Sequence, residues 1–111
     1  MLRVAFARVK PEKEQRLRDW LAQLTARQDE VRQTFIQEGT TQEQAYVLPT
    51  SDGPILVYVM DVADSERAKA AYAASSLPID VEHRAVMSEV LTERLKVAPL
   101  FDCALPVPDR A

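Results

Sequence analysis

The chain has 111 residues, 47% of them hydrophobic and 28% charged, which is the size and balance of one globular domain and too little for two. No apolar run approaches the roughly 18 residues of a membrane span, no apolar leader with a small-residue cleavage site is visible, and a lone Cys103 excludes an internal disulfide or a multi-cysteine metal cage. Fourteen basic against 17 acidic residues give a net charge of −3 and no clustered basic face, so the expectation is a cytoplasmic protein with neither nucleic acid nor membrane as partner.

Residues 2–9 read as a strand, with Leu2, Val4 and Phe6 on one side and Ala5, Ala7 and Val9 on the other. Pro11 opens a helix, and nothing interrupts it before Gly39, which supplies a left-handed cap. Leu17, Trp20, Leu21, Leu24, Val31 and Phe35 recur at helical spacing. The result is a helix of about 28 residues and about 42 Å, longer than a small domain is wide, so it bends or one end protrudes. Residues 44–49 form a short strand and 55–62 a strong one, and the turn cluster Thr50 to Pro54 joins them as a hairpin. Asp64 or Ser65 caps a second, alanine-rich helix that ends near Ser75. A third runs from about Ile79 or Asp80 to Leu95. Pro99 then marks a last extended segment over about 98–105, and Pro106 and Pro108 make the remainder a non-helical tail.

The order β-α-β-β-α-α-β becomes βαββαβ when the two later helices count as one split crossover. The expected fold is therefore α+β and ferredoxin-like, one domain over 1–105 with a tail over 106–111. Its antiparallel sheet carries all helices on one face. The strand 55–62 is apolar on both sides, with Ile55, Val57 and Val59 opposite Leu56, Tyr58, Met60 and Val62. A sheet with one wet face alternates instead. Either the strand is central and lies under a long tail, or a second copy covers the open face and makes a homodimer.

Several segments resemble a known family. These are Arg16-Leu17-Arg18-Asp19-Trp20-Leu21, then Glu30-Val31 with Thr34 and Glu38-Gly39, and Pro78-Ile79-Asp80 followed by Glu82-His83-Arg84. Together they are similar to a family of small bacterial proteins known only as a domain of unknown function, over about 3–103. That family is similar to the dimeric α/β-barrel branch of ferredoxin-like folds. The resemblance implies two sheets packed face to face across a two-fold axis. The branch includes heme-dependent and cofactor-free monooxygenases, isomerases and small-molecule sensors, among which a fold does not choose.

The residues offer a short list of candidates. Arg27, Thr34 and Glu38 border the apolar stripe of the long helix, with Trp20 on the same side. A cation, a hydroxyl and a carboxylate facing one groove would suit a polar ligand; alternatively they tether the helix or reach outward. His83, the sole histidine, sits with Met87 and Val90 on the third helix's apolar stripe. Paired with Glu38 or a tyrosine hydroxyl it could act as general acid or base; alternatively it is a hydrogen-bonded core residue. Tyr46 and Tyr58 lie on the hairpin, as ligand-orienting groups or as ordinary core. The expected site is thus His83 and Glu38 as catalytic residues, with Arg27, Thr34, Tyr46, Tyr58 and Trp20 binding a ligand. No ligand spacing for a metal and no phosphate loop is present, so no cofactor is expected. The leading reading is a small-molecule-binding dimer, with cofactor-free monooxygenase or isomerase chemistry left open. The alternative is a non-catalytic structural or interaction dimer.

Overall fold

Alternating side chains build the sheet. In the computed structural model, which describes residues 1–106, β1 is Leu2–Val9, β2 is Thr40–Leu48 and β3 is Ile55–Val62. The hairpin closes at Gly53, whose φ of 106° only glycine adopts readily, with Thr50 Oγ1 donating to its carbonyl at 2.6 Å. β2 begins earlier than the spacing predicts, directly after Gly39.

Pro11–Lys13 is a single 3-10 turn, followed by α1 (Glu14–Ala26) and α2 (Gln28–Glu38). The expected unbroken helix is thus interrupted at Arg27, whose φ of −114° and ψ of 38° leave the helical region. Its N–H turns onto the Leu24 carbonyl at 3.1 Å. This resolves the length problem by bending, without a proline or glycine at the break. Gly39 then caps α2 at φ 74°, as its position predicts. α3 (Ser65–Ala74) starts at Asp64, whose side chain accepts the Arg67 N–H at 3.1 Å. α4 (Pro78–Val90) starts on a proline at its first position.

The end of the chain departs from expectation. α4 stops at Val90, and Leu91 (φ −95°, ψ 146°) enters β4 (Leu91–Leu95) with no loop between. The strand expected over 98–105 is absent, and residues 96–106 carry neither helix nor strand. Apart from Pro106, the expected tail over 106–111 lies outside the described residues.

The sheet order is β2-β3-β1-β4, antiparallel throughout. This is the ferredoxin-like βαββαβ plan, with α3 and α4 sharing the second crossover. The core lies between the helices and one sheet face, around Val9, Leu56 and Tyr58 from the strands, Leu17 and Trp20 from α1, and Ile79, Val86 and Val90 from α4. Each such aliphatic side chain stabilises the fold by about 1.5–3 kcal/mol on full burial. The other face presents Val4, Phe6, Tyr46, Leu48, Ile55, Val57 and Val59. Val4 pairs with Val59, and Val57 stands between Phe6 and Tyr46. Val4, Tyr46 and Leu48 are exposed there. Among the described residues no helix is long and apolar enough to cross a membrane.

Candidate functional site

Small residues open a cavity beneath the helices. On the helix-facing side of the sheet Tyr58 is flanked by Ala5 of β1 and Ala45 of β2, and across from it α3 contributes Ala68 and Ala73. With methyl groups where larger side chains would interdigitate, a cavity of about 730 Å³ remains between sheet and helices. That is the size of a small-molecule site. Leu56, Met60, Ile79 and Met87 make its walls apolar, and Glu38, Glu43, Tyr58, Tyr72, Asp80 and His83 bring polar groups to it.

His83 stands where three aromatic rings meet. Its ring centroid lies 6.0 Å from Trp20, 5.9 Å from Tyr58 and 5.8 Å from Tyr72, the two tyrosines edge-on. The expected partner was Glu38 or a tyrosine hydroxyl. The observed one is the Trp20 indole N–H, which donates to His83 Nδ1 at 2.9 Å. An indole can only donate, so Nδ1 is the acceptor and the neutral ring carries its proton on Nε2. Burial pushes His83 down to about 4, against an upward pull from Asp80, while Arg84 adds to the depression. A donor already on Nδ1 opposes protonation further. At neutral pH His83 is therefore an uncharged N–H donor rather than a base.

Glu38 joins a different network. Thr34 Oγ1 lies 2.7 Å from Asp80 Oδ2 and 3.4 Å from Glu38 Oε2, and Thr40 Oγ1 lies 3.2 Å from Glu38 Oε1. Thr34, Glu38, Thr40 and Asp80 are all buried. Desolvation and the nearby Asp80 raise the Glu38 pKa above the usual carboxylate range, partly offset by the two threonine hydroxyls and Arg3. Glu43 is lifted to about 7, by burial first and then by Glu38 and Asp80. Burial holds the Tyr58 and Tyr72 hydroxyls firmly protonated. The Tyr58 hydroxyl is buried with no hydrogen-bond partner among the described residues.

The remaining expected residues divide. Trp20 is 2% exposed and packs behind His83, outside the cavity lining. Arg27 is also outside it, held at the helix break by Glu30 at 2.6 Å and Glu82 at 2.6 Å, with its guanidinium 6.0 Å from the Trp20 ring. Those hydrogen bonds raise the Arg27 pKa and lower those of Glu30 and Glu82. Tyr46 points to the open sheet face, where its hydroxyl donates to Gln44 Oε1 at 2.7 Å. Being an odd number of residues from Ala45 and Glu43, it cannot share their face. Cys103, in the segment expected to form a last strand, is exposed. Sequence reasoning placed none of Glu43, Thr40 and Tyr72 at the site. Their signal was positional: Glu43 has the parity of Ala45 and Val47, and Tyr72 sits one turn from Ala68.

A family model described as "Family of unknown function (DUF6176)" matches residues 2–105. No curated protein matches the chain. The solved structure of Rv0793 from Mycobacterium tuberculosis is similar at 20% identity and a TM-score of 0.54, over 93% of this chain and 96% of that one. At that identity the likeness is one of fold.

Proposed function

We propose that this chain, which belongs to the DUF6176 family of unknown function, binds a small molecule between its sheet and helices and does so as a homodimer. One observation carries the binding reading. The Tyr58 hydroxyl is buried with no hydrogen-bond partner among the described residues, and Tyr58 lines a cavity of about 730 Å³. An unpaired buried hydroxyl costs about 1–3 kcal/mol, a cost that a ligand's polar group removes. In this reading the apolar walls hold the ligand body. His83 Nε2–H, Tyr58, Thr34 and Glu38 meet its polar end. Glu43, pushed up to about 7, is the group able to exchange a proton with it, beside a Glu38 whose pKa is raised as well. Trp20 acts by holding His83, and Arg27 and Tyr46 take no part.

The dimer reading rests on the open sheet face and on the C-terminal segment. Val57 and its cross-strand neighbours are apolar on a side that no helix covers, and Phe101 and Leu105 are 85% and 91% exposed. A second copy of the chain would cover both surfaces with the same residues, as two-fold symmetry requires.

The neutral fluorophore N-phenyl-1-naphthylamine tests the binding reading. Its emission should rise on entering the cavity, and Ala68→Trp, which puts a large side chain at a position lining the cavity, should abolish the rise. Ala5→Leu serves as a second filling variant. No enhancement, or an enhancement that both folded variants retain, would overturn it.

A further inference from the structure

We propose that the polar end of the cavity binds an organic ammonium, a primary amine carried on an apolar body, with Glu38, Glu43 and Asp80 as counter-charges and Tyr58 Oη as a further acceptor. The proposal rests on the binding reading above and adds the ligand's charge.

The first observation is a shortage of donors. Thr34 has one hydroxyl proton for two carboxylates, with Asp80 at 2.7 Å and Glu38 at 3.4 Å. Thr40 supplies one more, to Glu38. Buried carboxylates are normally held by cations or by several hydrogen bonds. The cations nearby are committed, apart from Arg3. Arg84 spends both terminal nitrogens on the Tyr72 and Ser75 carbonyls, each at 2.7 Å. Lys69 faces Glu66 at 3.6 Å. Arg3 also lines the cavity and partly offsets Glu38, but it stands across β3 from Glu43, since both pair with Met60, so one guanidinium serves three carboxylates.

The second observation is independent of charge. Tyr58, nine-tenths buried and lining the cavity, presents a hydroxyl that no described residue meets. It lies on the same sheet face as Glu43, whose strand pairs Ala45 with Tyr58. An ammonium offers three N–H donors and no acceptor, which matches a site rich in oxygen lone pairs. A metal ion fits less well, because among the described residues no three His, Cys, Asp or Glu side chains converge as ligands. A neutral ligand would add no counter-charge to the three carboxylates.

Near neutrality the ammonium competes with a proton. Glu43 titrates at about 7. The groups around it are Glu38 from α2, Asp80 from α4, Tyr72 from α3, Tyr58 from β3 and Arg3 from β1. The two tyrosines stay protonated through this range, while the raised Glu38 pushes in the same direction as Glu43. An alkylammonium keeps its own charge up to about pH 10. Its affinity should therefore rise about tenfold from pH 6 to pH 8 as Glu43 loses its proton.

The test is displacement of bound N-phenyl-1-naphthylamine from the full chain by n-hexylammonium, with n-hexanol and hexanoate as controls of equal length. Hexylammonium should displace the probe at a concentration at least about tenfold below hexanol at pH 8, and hexanoate should be the weakest of the three. Glu43→Gln should remove that advantage and leave hexanol unchanged; should it not fold, Glu38→Gln carries the same comparison. If the probe enters and hexanol displaces it as well as hexylammonium does, the ammonium assignment fails while the binding reading stands. An advantage untouched in the folded Gln variants also overturns it. If the probe does not enter, the binding reading fails and this one falls with it.

Discussion

His83 and Glu43 make opposite contributions to stability over the same pH range, and removing either should reveal the other. Burial lowers His83 from 6.5 to about 4 and raises Glu43 from 4.5 to about 7. For His83 the unfolded chain binds the proton more tightly, so its contribution is complete above pH 6.5 and is lost as pH falls toward 4. For Glu43 the folded protein binds the proton more tightly, so its penalty is absent below pH 4.5 and grows as pH rises toward 7. With 1.36 kcal/mol per pKa unit, each term changes by about 2 kcal/mol between pH 4.5 and 6.5, with opposite sign. In the wild type the two largely cancel. Glu43→Gln should make the protein gain about 2 kcal/mol relative to wild type on going from pH 4.5 to 6.5, and His83→Gln should make it lose about as much. Urea denaturation at pH 4.5, 5.5 and 6.5 reads both changes, and constant offsets from repacking drop out of the comparison. Parallel profiles for wild type and both variants would refute the argument, because neither group would then titrate differently in the folded and unfolded states.

Trp20→Ala should cost about 3–5 kcal/mol by urea denaturation, because the side chain is 2% exposed. Trp20→Phe keeps a ring but leaves His83 Nδ1 unpaired, so a double-mutant cycle with His83→Phe should give a coupling of about 1 kcal/mol or more; additive losses would remove the bond at 2.9 Å from the account. Thr34→Val deprives Asp80 and Glu38 of their shared donor and should cost about 1–3 kcal/mol, whereas an unchanged midpoint would mean that the hydroxyl is dispensable. Sedimentation at micromolar concentration should show twice the chain mass of 12.5 kDa, and Val57→Lys should return the monomer. A wild-type monomer would dispose of the dimer.

The three strands and the helix-on-one-face plan were legible because their signal is periodic and local. The apolar alternation of residues 2–9 and 55–62, the Gly53 turn, the Gly39 cap and the Asp64 cap all act within a few residues. What was illegible depends on distant partners. Leu91–Leu95 reads as one more turn of α4, because Thr92, Glu93 and Arg94 are polar and no proline or glycine separates them from Val90. They form a strand because β1 offers hydrogen bonds to one side of them, and a polar edge strand needs no apolar face of its own. The break at Arg27 is likewise tertiary, for the apolar spacing continues through it. At the site, the parity of β2 was the obstacle. Glu43, Ala45 and Val47 compete with Gln44, Tyr46 and Leu48, and neither set is clearly the inner one, so the tyrosine that faces outward and the glutamate that faces inward were interchangeable on paper.

The bond from Trp20 to His83 also makes the protein report on itself. Trp20 is the sole tryptophan of the chain, and its indole N–H ends on a ring that lines the cavity. Light absorbed at that indole is emitted under the influence of whatever the imidazole is doing: neutral, newly protonated, or engaged through Nε2 by a molecule in the cavity. An imidazolium draws an electron from an excited indole far more readily than a neutral imidazole does. The emission is thereby tied to the state of one histidine, without a dye and without a change of sequence.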